Sequence, residues 1–400
     1  MITEIFNLQN LWRNNRDFAL ELKKRSALQA LNENLDNQKI LGLIGSRQVG
    51  KSSLIYLMIK HLISTQSVTV EQIFYFNLDD LKLRELFENM AEFVQFIRPG
   101  AEKKFIFIDE IQRLDNPGLF LKELYDLNLN LKIVYSGSSQ LEIKSKMKEN
   151  LVGRARQFEI QRLSFAEYLQ FNEPITRQQA LEEMLIFGAY PEVVLERHRT
   201  EKKLLIKDIF QSYVEKDLID FLKIDNINAF NKLLVLLANQ IGALLNIENL
   251  AKSIKIHRNE VEKYITVLER TFIIRRIYPF FENYKKEITK TPKVYFLDLG
   301  LRNFILNNFN PPEMRNDIGA LFENFFLIEL IHDDFFSFNK INYWRTTNQI
   351  EIDFIVTRAD GREASEVKWS KTTPPKSFKT ITRYYPEMKT RLVTKKDFGV

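Results

Sequence analysis

Residues 39–62 read "KILGLIGSRQVGKSSLIYLMIKHL". The apolar run from Ile40 to Ile44 has the length of a buried strand, and the residues after Lys51 repeat apolar positions at helical spacing. Between them stand Gly45, Ser46, Arg47, Gln48, Val49, Gly50, Lys51 and Ser52, followed by Ser53: the pattern G-x-x-x-x-G-K-[ST]. The two glycines let the backbone curl until its N–H groups converge on phosphate oxygens. Lys51 reaches the terminal phosphates and Ser52 offers a hydroxyl to Mg²⁺. The helix that begins there adds the positive end of its dipole. Strand, loop and helix together predict an α/β domain that binds a nucleotide.

A second stretch supports this reading. "KKFIFIDEIQRL" (103–114) places an apolar strand, Phe105 to Ile108, before Asp109 and Glu110. Ligands bind at the carboxyl ends of strands in open α/β sheets. Asp109 there would hold Mg²⁺ through water, and Glu110 would orient the attacking water. "QIFYFNLDD" (72–80) and "LKIVYSGSS" (131–139) supply two more apolar strands. Alternating strands and helices predict a doubly wound parallel sheet.

Composition bounds the rest. The 400 residues exceed one usual core, and the content of 45% hydrophobic residues is ample for burial. With no cysteine, disulfides, iron–sulfur clusters and thiolate zinc sites are excluded. The four histidines, His61, His198, His257 and His332, are too scattered for an imidazole metal site. No secretory signal or membrane-spanning run is read, so a cytoplasmic protein with no membrane partner is expected. Net charge is only +6, but residues 250–302 hold twelve Lys/Arg against six Asp/Glu. That local excess points to a polyanionic partner, although solvated faces produce such runs too.

The middle of the chain, "AFNKLLVLLANQIGALLNIENLAKSIKIHRNEVEKYITVLERTFIIRRIYPF" (229–280), reads as three helices followed by a strand, with Asn246 capping the second helix. "PKVYFLDL" (292–299) would pair with that strand as a wing, its tip being the basic "ENYKKEITKT" (282–291). This is the winged helix-turn-helix pattern. On DNA, the start of the third helix would present Arg258, Asn259, Glu262 and Lys263, and Lys285, Lys286 and Lys290 would meet phosphates. Packing between neighbouring domains is the competing reading.

In the last 85 or so residues the predicted order is helix, three strands, helix, strand. Glu323 falls on the first helix, Asp353 on the second strand, and Glu366 with Lys368 on the third. Glu366 and Lys368 are two apart and project from one face. Asp353 lies across the hairpin, near enough to share Mg²⁺ or Mn²⁺ with Glu366, while Lys368 would position a metal-bound water and Glu323 would be an outer ligand. A solvated acidic hairpin is the plainer reading.

The chain resembles a family of prokaryotic AAA-type P-loop ATPases with a C-terminal domain of unknown function related to PD-(D/E)xK nucleases. The marks are "GSRQVGKS", "FIDEIQRL", "YSGSSQLEI", "LVGRARQFEIQRLSFAEYL", "FGAYPEVV", "KVYFLDLGL" and "GALFENFFLIEL". The resemblance implies ATP as the nucleotide, and Ser136 or Ser138 as the side chain that reads the γ-phosphate, unless they cap the next helix. It implies Arg154 as an arginine that meets a γ-phosphate, in cis or from a neighbouring subunit, and leaves Arg47 either to phosphate contact or to loop packing. A homo-oligomer is compatible with it. The expected organisation is an N-terminal helical segment (1–35), an ATPase core (36–165), a helical lid (166–225), a winged helix (226–300) and an α/β nuclease-like domain (301–400). The expected function is an ATPase acting on DNA, with a metal-dependent endonuclease in its C-terminal domain. A nucleotide-dependent regulatory or defence switch that binds DNA or a partner protein without cutting is the alternative, and a nuclease with nucleotide as a structural ligand is a third reading.

Overall fold

The computed structural model describes residues 2–14, 21–65, 68–137, 147, 150–172, 174–212, 226–281, 290–370 and 373–400. Two compact units are present, residues 1–161 and 162–400.

The first unit is built on a parallel sheet of five strands in the order β2-β3-β4-β1-β5. These are β1 (Ile40–Ile44), β2 (Ile73–Asn77), β3 (Lys104–Asp109), β4 (Leu131–Gly137) and β5 (Ala155–Glu159). β1 is buried along its whole length, as expected for a strand covered on both faces. The fold class is therefore α/β with a P-loop-type sheet. The fifth strand, β5, was not among the predicted ones. Its sequence, Ala-Arg-Gln-Phe-Glu, buries only Phe158, because it is an edge strand and needs no apolar run.

The second unit begins with the helices Phe165–Phe171, Arg177–Phe187, Pro191–Leu195 and Arg199–Phe210. Residues 213–225 of the expected lid lie outside the described residues. Two family marks interlock here. Gly188 (φ 74°) passes so close to Asp298 that a Cβ would lie 2.3 Å from its Oδ1, and the Ala189 N–H donates to Asp298 Oδ2 at 2.9 Å. The landmarks around residues 188 and 298 thus serve packing.

Helices Ile227–Asn239, Ile247–Ile254 and Arg258–Arg270 follow, then the antiparallel pair β6 (Ile274–Ile277) and β7 (Lys293–Phe296). Asn246 caps its helix by accepting the Asn249 N–H at 3.0 Å. Leu250, Ile254, Val261, Tyr264, Ile265 and Leu268 are all buried. Backbone bonds from Gly242 to Val294 and from Leu245 to Pro292 flank an isolated antiparallel bridge between Leu244 and Lys293. The wing-tip residues Lys285 and Lys286 lie outside the described residues.

The helix Leu299–Ile305 spans the expected boundary at 300/301. A second sheet has the order β11-β10-β9-β8, with β8 (Lys340–Arg345), β9 (Glu351–Arg358), β10 (Gly361–Val367) and β11 (Lys389–Val393). The helix Ile318–His332 packs on one face, where Phe326 meets Phe354 with ring centroids 6.0 Å apart. The helix Lys376–Tyr384 lies on the other, with Ile381 clustered against Ile355 and Ala364, since successive strand residues face opposite sides.

Candidate functional site

β1 delivers the chain into residues 45–50 at the carboxyl edge of the first sheet. Gly45 runs so close to the Ile160 carbonyl that a Cβ would lie 2.4 Å from its oxygen, so a side chain there would force the loop open. Lys51 is buried, and its Nζ donates to the carbonyls of Gly45 at 3.2 Å and Ser46 at 2.8 Å. Its ammonium therefore lies across the loop. Ser46 Oγ is buried without a hydrogen-bond partner among the described residues. Ser52 and Ser53 are half-buried, as is Arg47, while Gln48 is exposed.

β4 separates β1 from β3, so Asp109 and Glu110 stand about 10 Å along the sheet from the loop, two strand spacings. Asp109 is buried; its Oδ2 accepts from the Tyr75 hydroxyl at 2.9 Å and its Oδ1 from the Ser136 hydroxyl. Ser136 Oγ in turn accepts the Glu110 N–H at 3.1 Å. The Glu110 carboxylate accepts from Gln112 Nε2. Burial, then the charge of Asp109, pushes the Tyr75 hydroxyl far above its ordinary range, which keeps it a neutral donor. Tyr75 and Gln112 were missed in the sequence. The signal for Tyr75 was a lone hydroxyl in the apolar run Ile-Phe-Tyr-Phe.

The Ser136 hydroxyl is engaged by Asp109 and by the Glu110 N–H, and Ser138 lies outside the described residues. Arg154 was expected near a γ-phosphate. The Ile40 N–H donates to its carbonyl at 2.9 Å, and β1 and β5 run parallel from the pair Ile40 and Ala155 to the pair Ile44 and Glu159. Arg154 is thus at the amino edge of the sheet, roughly 13 Å of strand from the loop of its own chain. Its Nε and Nη2 donate to Asp126 at 2.8 and 3.1 Å. Parallel strands put a residue before β5 at the edge opposite the loop.

In the second unit Arg258, Asn259 and Lys263 are exposed on the third helix of the trio. Glu262 is instead paired with Arg276 at 2.7 Å. The nuclease-like residues converge. Lys368 Nζ donates to Glu366 Oε2 at 2.7 Å and Asp353 Oδ2 at 3.3 Å. Asp353 Oδ2 also accepts the Val367 N–H at 2.8 Å, and Glu366 Oε1 accepts from Ser377 Oγ at 2.5 Å. Burial, then Asp353, raises the Glu366 carboxyl above its ordinary range.

Glu323 faces elsewhere. Its Oε1 accepts from the Tyr295 hydroxyl at 2.6 Å and from Lys293 Nζ at 3.4 Å, and Lys293 also pairs with Glu351 at 2.5 Å. Lys293 and Tyr295, two apart on β7, project from one face and had no assigned role in the sequence. Among the described residues, no three or more His, Cys, Asp or Glu side chains are grouped to hold a metal ion. The Lys368 ammonium bridges Asp353 and Glu366, and Lys293 takes Glu323.

The first unit thus has the fold of a P-loop ATPase. Residues 37–169 match the family model described as an AAA domain, which supports an AAA-type ATPase. Residues 178–312 and 318–398 match two models described as domains of unknown function (DUF8612 and DUF4143). The chain is 27% identical over 337 residues to an uncharacterized protein of Methanocaldococcus jannaschii, covering 80% of this chain and 72% of that one. It is 24% identical over 352 residues to an uncharacterized protein of Haemophilus influenzae, covering 85% and 84%. The Aeropyrum pernix ORC1 protein in complex with DNA aligns with a TM-score of 0.31 at 13% identity, over 74% of this chain and 96% of that one. Among the described residues, no helix is long and apolar enough to cross a membrane.

Proposed function

We propose that the protein binds and hydrolyses ATP with Mg²⁺, and that its second unit binds DNA without cutting it. The observation that carries the first part is the pairing of the 45–50 loop and Lys51 with the buried Asp109–Glu110 pair across β4. Lys51 would leave the Gly45 and Ser46 carbonyls for the phosphates. Ser52 and Asp109 would hold Mg²⁺, which supplies charge neutralisation for the transferring phosphoryl group. Glu110 orients and deprotonates the attacking water, with Gln112 setting the carboxylate's direction.

The second part rests on the exposed Arg258, Asn259 and Lys263 at the start of a helix that reads as the third of a winged helix. The ion-paired state of Asp353 and Glu366 favours binding over cutting. Lys51→Ala is expected to abolish ATP binding, and Glu110→Gln to bind ATP but turn it over at least about a hundredfold more slowly. Normal turnover in either variant refutes that residue's role. Duplex DNA incubated with Mg²⁺ or Mn²⁺ should be bound and recovered whole. Cleavage that disappears in Asp353→Ala and Lys368→Ala would replace this reading with a nuclease.

A further inference from the structure

Arg25 stands ahead of the helix Ala27–Glu33 with its side chain turned inward, leaving the residue 8% exposed. Its Nη1 donates to the Val49 carbonyl at 2.9 Å and its Nη2 to the Gln161 carbonyl at 2.9 Å. Val49 is the residue before Gly50 in the phosphate loop. Gln161 follows Ile160, whose N–H donates to the Ile44 carbonyl and whose own carbonyl backs Gly45. One guanidinium therefore ties both the loop and the strand end behind it.

The consequence follows from peptide geometry. In a trans peptide the C=O and N–H point to opposite sides. Holding the Val49 oxygen turns the Gly50 N–H away from Arg25. Gly50 lies at φ 92°, a region open to glycine, where the backbone alone sets little resistance to rotation of the 49–50 peptide. The tie at Val49 supplies that resistance. Only a planar fork can donate in two fixed directions; an ammonium at the same place is a point charge on a flexible stem.

We propose that Arg25 is a positioning residue for the nucleotide: it fixes the Val49–Gly50 peptide so that the Gly50 N–H faces the phosphates before they arrive. This rests on the ATP-binding reading above. An unfixed peptide must be ordered on binding, so the deficit falls on affinity more than on the chemical step.

The experiment uses the full chain and compares Arg25→Lys, Arg25→Ala and Lys51→Ala with the parent. Steady-state ATP turnover gives KM and kcat, and competition by inorganic triphosphate probes the phosphate loop without base or ribose. Arg25→Ala is expected to raise KM and the triphosphate inhibition constant in parallel by about ten- to a hundredfold, the range of one hydrogen bond to a charged group. Its kcat should fall less, and Arg25→Lys should recover part of the loss. A KM within twofold of the parent in both Arg25 variants overturns the inference, whatever kcat does. Where Arg25→Ala does not fold, Arg25→Lys decides: a severalfold rise in KM upholds the inference and a parent-like KM overturns it. Loss of binding in Lys51→Ala alone then leaves the nucleotide site standing without Arg25. Parent-like binding in Lys51→Ala would overturn the site itself.

Discussion

Replacing Lys293 with methionine tests how the second unit holds its carboxylates. The Lys293 side chain is only 3% exposed and meets Glu351 at 2.5 Å and Glu323 at 3.4 Å. Burial works against its charge, but Glu323, Glu351 and Asp353 outweigh that and hold the ammonium above its ordinary value. Methionine keeps the stem and removes the charge. Glu351 still has Arg345 at 3.5 Å, whereas Glu323 keeps only the Tyr295 hydroxyl among these partners. Removing one partner of a buried pair costs about 3–5 kcal/mol. Glu323 can escape part of this by taking up a proton, because burial and then Asp353 push its carboxyl up to about 7 in the parent. A carboxyl raised above its unfolded value stabilises the fold most at low pH and progressively less as pH rises through the folded value. The loss should therefore be near 3 kcal/mol at pH 8 and closer to about 1 kcal/mol at pH 5.5. Adding Glu323→Gln to Lys293→Met should recover most of it, since the amide needs no counter-charge. Urea unfolding in a Trp12→Phe background, where Trp344 and Trp369 report on the second unit alone, gives the four corners of the cycle. A Lys293→Met protein within 1 kcal/mol of the parent at pH 8, or a double variant no more stable than the single one, would refute the reasoning.

Two further outcomes follow from the geometry. Glu329 accepts the Phe165 N–H at 3.0 Å, and burial outweighs that bond, with Asp333 and Glu167 adding to it, to push its carboxyl up to about 8. The parent should lose roughly 2 kcal/mol of stability between pH 5 and pH 8.5 through this partly exposed group, and Glu329→Gln should flatten that slope; an unchanged melting profile would remove Glu329 as its source. Arg154→Ala should leave ATP affinity within twofold when the chain sediments as a monomer, because its guanidinium belongs to Asp126; a tenfold loss there would return Arg154 to its own loop.

What the sequence made legible was local. The phosphate loop is eight consecutive residues with a strand before and a helix after, and Asp109–Glu110 are adjacent residues closing an apolar run. Helix periodicity and the Asn246 cap placed the middle helices, and the strands β8 to β11 fell where alternation put them. What stayed hidden depends on which strands become neighbours. β5 carries too little apolar signal to announce a strand. Without β5 the edge on which Arg154 sits is undefined. Lys293 and Glu323 are thirty residues apart, and no spacing rule links a wing strand to a helix beyond it. Arg25 reads as one cation in the run Lys-Lys-Arg, and only the closed sheet shows two carbonyls waiting for it.

Glu110 shows how these distant pieces meet in one residue. Its φ of 58° lies in the left-handed region, which costs a non-glycine residue on the order of 1 kcal/mol or more and persists only when its surroundings enforce it. The enforcement is specific: the Glu110 N–H is held by Ser136 on β4, the preceding Asp109 by Tyr75 on β2 and by the same serine, and the carboxylate by Gln112. The strand alone would carry the chain onward in extended form; the left-handed residue turns it instead. Residues from three strands thus fix the acid that the proposed chemistry uses. That is why an apolar run ending in Asp-Glu is weak evidence as a string of letters and strong evidence once β2 and β4 are seen to flank it.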